Sequence, residues 1–366
     1  MPKKICIVHD SFSHLGGAER VLLELITVFP DADVFIPIIK QEFKKNITKK
    51  GKGKLYVAPF NRLMIPDKLA SFLKPLVYLY WKFLDLGQYD LVISSSHSFS
   101  AKSVRVPHGT PHLCYLHTPP RYLYEEFNEM TWIQKFPWKI LLYPFFILAR
   151  KLDYSDAQKP SILIANSKNV QKRVRRYYQR DSHVVYPPVS VPKKITTSKP
   201  KHYLCISRLV RQKGVELAIQ TCNVLREKLI VVGTGAQLQE LQKIAGPTIS
   251  FVGFIPDKNM ASYYKNTKAL LYCSIDEDFG LVPVEAQAHG VPVIAYKSGG
   301  TLETILHKKT GLFFSSYTVS SLVKAIKKSQ TINFSPTACR KNAAQFDRSV
   351  FRYKMQQLVH HYLEKS

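Results

Sequence analysis

Three short stretches of the sequence combine residue types that can hold an anion or a sugar. In the first, Gly16 and Gly17 follow an apolar run and open an amphipathic stretch. Glycines let the backbone approach an anion, and a helix starting there offers unpaired N–H groups and the positive end of its dipole. The same pair suits an ordinary tight turn. The second is Ser207-Arg208-Leu209-Val210-Arg211-Gln212-Lys213-Gly214, again after an apolar run. Arg208 and Lys213 can converge on a diphosphate, the guanidinium as a planar fork and the ammonium as a point charge. As loop charges they can equally be solvated. The third runs from Asp276 through Glu277, Phe279, Gly280 and Leu281 to Glu285 and on to Gly290. A carboxylate accepts two hydrogen bonds from a vicinal diol, as on a ribose or a sugar ring. Gly280 and Leu281 would place backbone N–H groups at a helix start, so the two glutamates frame a second anion-binding turn.

Such stretches act together only if a scaffold carries them to one edge. The periodicity predicts strands at Ile5–Val8, Asp33–Ile36, Asp90–Ser94, His112–Leu116 and Ile162–Ala165, with helices at Gly17–Val28 and Lys168–Tyr178. Tyr186–Pro200 holds Pro187, Pro188, Pro192 and Pro200 and reads as a linker. The rhythm then restarts, with strands at Tyr203–Ile206, Leu229–Val232, Ile249–Val252, Ala269–Tyr272 and Pro292–Ala295. Helices are expected at Val215–Arg226 and Val284–His289, and a last one at about Ser349–Glu364. Alternating strands and helices imply two α/β domains with parallel sheets, 1–188 and 189–348, followed by the terminal helix, 349–366. In such sheets ligands bind beyond the carboxyl ends of the strands, where all three stretches fall. Lys44 to Lys54 reads as a basic, solvated surface loop.

Composition narrows the classes of function. The chain has 366 residues, 45% of them hydrophobic and 22% charged, which suits two sizeable cores. Lys+Arg 53 against Asp+Glu 26 gives +27, which calls for an anionic partner. There is no zinc-finger spacing, basic zipper or RNA-recognition motif, and the basic residues are spread over both halves, so nucleic acid is not the expected partner. The six cysteines form no C-x-x-C pair and read as buried thiols of a reducing compartment. The apolar run after Lys3 and Lys4 is four residues, a strand and not a signal peptide, and no run is long enough to span a membrane as a helix. There is no phosphate-binding G-x-x-x-x-G-K-[ST]. Gly233-Thr234-Gly235 lacks the third glycine of a dinucleotide fingerprint and reads as a strand-to-helix turn.

Taken together, the stretches resemble those of the retaining GT-B glycosyltransferases of family 4. Glu277 and Glu285 with Phe279-Gly280-Leu281 are similar to its E-x7-E motif, and Arg208 with Lys213-Gly214 to its diphosphate motif. Gly16-Gly17-Ala18-Glu19-Arg20 resembles its glycine loop, and Phe251-Val252-Gly253-Phe254 its strand and loop beside the nucleotide base. Cys114-Tyr115-Leu116-His117-Thr118-Pro119-Pro120-Arg121-Tyr122 resembles the segment with its active-site histidine, in the form of the mannosyltransferase branch.

The resemblance implies two doubly wound Rossmann-like domains facing a cleft, an acceptor-side domain first and a nucleotide-sugar domain second, with the last helix crossing back onto the first. It implies a retaining hexosyltransferase that needs no cofactor and no metal, acting in cell-envelope polysaccharide or glycolipid synthesis. Arg208 and Lys213 would neutralise the leaving diphosphate, Glu285 would hold the ribose, and Glu277 with Phe279, Gly280 and Leu281 would grip the donor sugar. Gly16, Gly17, Gly253 and Phe254 would complete the donor site. His117 would sit beside the reacting sugar, and Arg121 and Tyr122 toward the acceptor. The donor favoured is GDP-mannose, and the acceptor a saccharide or a lipid-linked saccharide. A nucleotide-sugar epimerase on the same scaffold and a basic nucleic-acid binder stand as alternatives. Incubation with donor alone separates out the first, and salt-sensitive DNA binding without donor binding the second.

Two further segments, Leu69–Leu86 and Trp132–Arg150, mix aromatic and apolar residues with lysines at 74, 82, 135 and 139. Aromatics flanked by cations suit a lipid headgroup boundary, although core helices account for the pattern as well. With the +27 charge, the expectation is a peripheral enzyme on an anionic membrane surface, at the cytoplasmic face.

Overall fold

The structure, a computed structural model, describes residues 3–63, 73–97, 100–124, 138–196 and 198–364, with only the backbone described at 62–63 and 138–142. The chain divides into two compact units, residues 1–188 with 351–366, and residues 189–350.

In the first unit the described strands are β1 (Ile5–His9), β2 (Asp33–Ile36), β3 (Leu55–Val57), β4 (Leu91–Ser96), β5 (His112–Leu116), β6 (Ile162–Ala165) and β7 (His183–Val184). They form one parallel sheet in the order β3-β2-β1-β4-β5-β6-β7. Both faces are covered, which is why the strands are continuous apolar runs. Ile7, Ile93, Leu113 and Tyr115 meet Val21, Leu22 and Leu25 of the helix Gly17–Val28 in one core. Cys6, Val8 and Val92 meet Trp81 in the other. The final helix, Arg348–Glu364, adds Phe351, Met355 and Val359 at four-residue spacing to the first of these cores. Arg352 is tied to Glu24 at 2.6 Å.

The second unit repeats the plan with β8 (His202–Ile206), β9 (Leu229–Val232), β10 (Ile249–Gly253), β11 (Thr267–Tyr272), β12 (Val293–Tyr296) and β13 (Gly311–Phe314). These are parallel in the order β10-β9-β8-β11-β12-β13. In both sheets the winding reverses beside the first strand, between β1 and β4 and between β8 and β11. Loops leaving such a reversal diverge and open a crevice.

Two expectations need correction. Lys44–Lys54 is not a loop throughout, because Gln41–Thr48 is a helix. Phe43 and Ile47, four apart, supply its docking face: Ile47 is buried and Phe43 stacks on Phe12 at 4.8 Å. The lysines of that stretch masked a two-residue apolar stripe. The helix expected at Val284–His289 begins earlier, at Leu281, because Gly280 takes a left-handed φ of 92° and starts it. All six cysteines are free and buried.

A buried ion pair anchors the segment after β4. Lys102, fully buried, pairs with Asp153, which also accepts from the hydroxyls of Tyr124 at 2.9 Å and Tyr178 at 2.8 Å. Removing one partner leaves an uncompensated charge inside, so Lys102→Ala should cost about 3–5 kcal/mol of stability. Urea unfolding checks this, and a loss under about 1 kcal/mol would show that water reaches the pair.

Candidate functional site

In the second unit, two loops leave the sheet on either side of the β8/β11 reversal. The loop after β8 carries Arg208 and Lys213, and the loop after β11 carries Glu277. Lys213 Nζ lies 2.6 Å from Glu277 Oε2. The same oxygen accepts from Tyr272 and Ser274 hydroxyls, each at 2.7 Å. Burial works against the carboxylate's charge, but Lys213 and the two hydroxyls outweigh it and hold the Glu277 pKa at about 2. Two motifs 64 residues apart thus close into one charged cluster.

The cluster is held by close backbone approach. Gly299, at φ 59°, has room for no Cβ: one would lie 2.4 Å from the Glu277 carbonyl oxygen. The Gly300 N–H donates to that carbonyl at 2.7 Å, and the Asp276 N–H donates to Ser298 Oγ at 2.9 Å. Gly214 is equally constrained, at φ 63° and against the Cys273 carbonyl. Gly299→Ala should therefore lower donor affinity about tenfold or more by displacing Glu277, while calorimetry of the apo protein shows a moderate loss. Wild-type affinity would mean that the loop shifts harmlessly.

The other residues expected here are placed as follows. Arg208 is exposed. Phe279 is buried against Phe346, with ring centroids 5.3 Å apart. Gly280 and Leu281 form the N-terminus of the helix Leu281–Ala288, and Glu285 lies half-buried in its second turn. Gly253 ends β10 at φ 69°, and Phe254 beyond it is 73% exposed. Gly233 and Gly235 are packing glycines, because a Cβ would strike the Ser207 and Leu209 carbonyls.

In the first unit, Gly16 precedes the helix Gly17–Val28, and its N–H is already taken by Glu19 Oε2 at 2.9 Å. His117 follows β5. Its N–H donates to Ser96 O at 2.9 Å, and Nε2 lies 3.0 Å from Ser95 Oγ. Its ring packs on Tyr115 and faces His97, with centroids 6.4 Å apart. Burial, with His97 and His9 nearby, holds His117 well below the usual imidazole pKa, so it is neutral. Arg121 and Tyr122 open the short helix Arg121–Tyr124, with Lys74 Nζ 4.8 Å from the Tyr122 ring centre.

Sequence reasoning missed the groups around His117. His9 ends β1 and His97 follows β4. Asp10 accepts from the His97 N–H and the Ser100 hydroxyl, both at 2.8 Å, and from the Ala101 N–H. The signal was available: His9-Asp10 and Ser94-Ser95-Ser96-His97 are polar endings to apolar strands. The expectation that the chain has no Asp-x-Asp, the usual carboxylate pair for a sugar-nucleotide metal, is wrong: the sequence holds two, Asp31-Ala32-Asp33 and Asp276-Glu277-Asp278. Asp33 is occupied by the Tyr89 hydroxyl and the Lys54 N–H. Among the described residues neither triplet belongs to a cluster with metal-ligand spacing.

Buried neutral histidines set an acid limit on stability. Burial lowers His9 and His112 to about 3, and His117 is shifted the same way. A depressed histidine binds its proton only in the unfolded chain between its folded pKa and about 6.5, so stability falls as pH drops below about 6.5. Each contributes a slope of about 1.4 kcal/mol per pH unit in that window. Urea midpoints from about pH 7.5 to about pH 5 should fall accordingly and flatten in His112→Asn. A flat wild-type profile would show that these rings are solvated.

Two parallel, doubly wound units of this kind are the architecture of the GT-B fold. The comparisons agree. Residues 15–192 match the family model Glycosyltransferase Family 4, and residues 190–346 match Glycosyl transferases group 1. The alpha-1,3/1,6-mannosyltransferase ALG2 of Kluyveromyces lactis is 26% identical over 371 residues, covering 83% of this chain and 71% of that protein. The GDP-mannose-dependent alpha-(1-6)-phosphatidylinositol monomannoside mannosyltransferase of Mycobacterium tuberculosis is 31% identical over 140 residues, 34% of this chain and 36% of that one. HepE of Anabaena in complex with UDP superposes with a TM-score of 0.73 at 19% identity, covering 98% of this chain and all of that one. The chain belongs to the family-4 glycosyltransferases, and its relatives include mannosyltransferases.

Proposed function

We infer that the chain transfers mannose from GDP-mannose, with retention of configuration and without a metal, to a saccharide or lipid-linked acceptor in polysaccharide or glycolipid synthesis. The observation that carries the reading is the Lys213–Glu277 pair at the β8/β11 reversal, with the exposed Arg208 on the same loop as Lys213. As the glycosidic bond breaks, negative charge grows on the departing diphosphate. Cations fixed beforehand stabilise that charge without reorganising. Arg208 and Lys213 serve there, Glu277 and the Gly280–Leu281 turn hold the sugar, and Glu285 holds the ribose. The first unit contributes His117, whose neutral ring exchanges hydrogen bonds with hydroxyls. Similarity to two kinds of mannosyltransferase supports mannose, and the name of one supports GDP-mannose. Thermal shift against GDP-, UDP-, ADP- and dTDP-sugars tests the donor: a ligand at about 100 times its Kd adds about 2.7 kcal/mol. NMR of the product tests retention, and turnover in EDTA tests metal independence. Protection by UDP-glucose but not GDP-mannose, an inverted product, or loss of turnover in EDTA would each remove its part of the reading.

The same reading puts the enzyme on an anionic membrane at the cytoplasmic face. No helix among the described residues is long and apolar enough to cross a membrane. Of the two segments singled out, 69–72 and 132–137 lie outside the described residues. The remainder forms the helices Lys74–Phe83 and Trp138–Ala157, which leave Leu76, Leu79, Phe83, Tyr143, Phe145 and Leu148 exposed. Lys82 is not a lipid contact, since Asp156 holds it at 2.6 Å. Attraction therefore rests on the remaining net charge, and insertion on the apolar residues. Flotation with anionic vesicles at low salt, reversed as salt rises, is expected. Equal recovery with anionic, neutral and no vesicles would leave a soluble enzyme.

A further inference from the structure

His9, Glu19 and His97 converge at the β1/β4 reversal of the first unit. One ligand-capable atom from each lies within 4.8 Å of the other two. His9 is fully buried and Glu19 is 3% exposed. Neither His9 ring nitrogen has a partner of hydrogen-bond geometry, although the Ser95 and Ser11 backbones lie near, and buried His97 Nε2 has no partner either. Buried polar groups are nearly always paired, so two unsatisfied imidazoles beside a carboxylate call for a ligand. His97 and Gly16 are half-exposed, which puts the entrance on their side.

Stoichiometry names the ligand. A hydroxyl has one hydrogen to give and two lone pairs to fill. Glu19 supplies an acceptor, and the His9 and His97 rings each supply one N–H donor. Geometry agrees: an oxygen bonded tetrahedrally to all three at about 2.8 Å sets them about 4.6 Å apart. A tetrahedral zinc at about 2.0–2.1 Å would draw them to about 3.4 Å. Separations within 4.8 Å admit either spacing, so the hydrogen-bonding stoichiometry selects the hydroxyl and the cobalt titration below tests the metal. Glu19 is itself oriented by the Gly16 N–H, and His97 by Asp10 through its backbone N–H.

We propose that His9, Glu19 and His97 form a subsite for one hydroxyl of the acceptor's hexose. The assignment to the acceptor rests on the reading above, which gives the donor's diphosphate and ribose to residues of the other unit. His97→Ala removes one donor, whereas His97→Gln keeps an amide N–H near the Nε2 position. Saturation-transfer NMR with the methyl pyranosides of mannose, glucose, galactose and N-acetylglucosamine is the test, with circular dichroism of each variant as the folding control. At least one glycoside should bind wild type, bind His97→Ala about tenfold or more weakly, and regain most of its affinity in His97→Gln. A monodeoxy form of that glycoside should lose as much affinity on wild type and nothing further on His97→Ala. No glycoside bound by wild type, or equal binding by all three proteins, overturns the proposal. Cobalt titration giving a visible absorption band that His97→Ala abolishes also overturns it and makes the cluster a metal site. Thermal protection by GDP-mannose and UDP-glucose, run in parallel, tests the transferase reading separately. Protection lost in His97→Ala would move the hydroxyl to the donor and overturn the acceptor assignment.

Discussion

Arg208→Ala should lower kcat/KM by about 10²–10³-fold while leaving the unfolding midpoint unchanged. Arg208 is exposed and, among the described residues, its guanidinium makes no hydrogen bond or ion pair, so the fold does not depend on it. A donor held in a site built to meet developing charge is worth about 2.7–4 kcal/mol in the transition state. Lys213→Ala should cost as much activity and also stability, because Glu277 then loses its cation while the Tyr272 and Ser274 hydroxyls remain. The contrast between the two variants is the informative part. Steady-state kinetics with differential scanning calorimetry measures it. Wild-type turnover in Arg208→Ala would remove it from the diphosphate. Equal stability losses in both variants would mean that the arginine, too, holds the loops together.

The parallel strands were legible because a sheet covered on both faces leaves a local signature: a short apolar run needs no knowledge of its partners. The β8 and β11 runs announce themselves this way, as do the proline-rich boundary near residue 190 and the glycine before each site helix. What escaped depends on contacts distant in sequence. The helix Gln41–Thr48 is polar apart from Phe43 and Ile47, and only packing against Phe12 and its neighbours makes it a helix. Glu277 stood out in the sequence as a carboxylate framing a glycine turn, but its pairing with Lys213 did not, because the strand order decides which loops adjoin. His9 and His97 were invisible for the same reason. They lie far apart in the chain and meet only because β4 pairs with β1. A histidine closing an apolar strand is a local signal worth weighing, although its partner emerges only from topology.

Glu277→Gln should reduce kcat by about 10²-fold, with a smaller change in donor KM, if, as proposed, the side chain helps to set the position of the reacting sugar as well as that of Lys213. The amide retains the size and accepts one hydrogen bond, but it loses the charge that balances the lysine. The same variant has a stability signature with a fixed sign. The folded pKa of about 2 lies below the ordinary glutamate value of about 4.3. Its contribution is therefore complete above about pH 4.3 and disappears as pH falls toward about 2. The pair is part-buried, its side chains 18% and 19% exposed, so this amounts to at most something on the order of 3 kcal/mol at neutral pH, each tenfold gain in acidity being worth about 1.4 kcal/mol. Glu277→Gln should thus be less stable than wild type at about pH 7, and the gap should begin to narrow below about pH 4, by roughly a third at about pH 3.5. The buried histidines lower both proteins equally in that range, so the difference between the two isolates the carboxylate. Paired urea titrations at about pH 7, 5 and 3.5, beside kinetics at neutral pH, measure both effects. A gap that stays constant with pH would show that the loss comes from packing and not from charge. Unaltered kcat with a closing gap would leave Glu277 as a structural anchor for Lys213 and take it out of the sugar's surroundings.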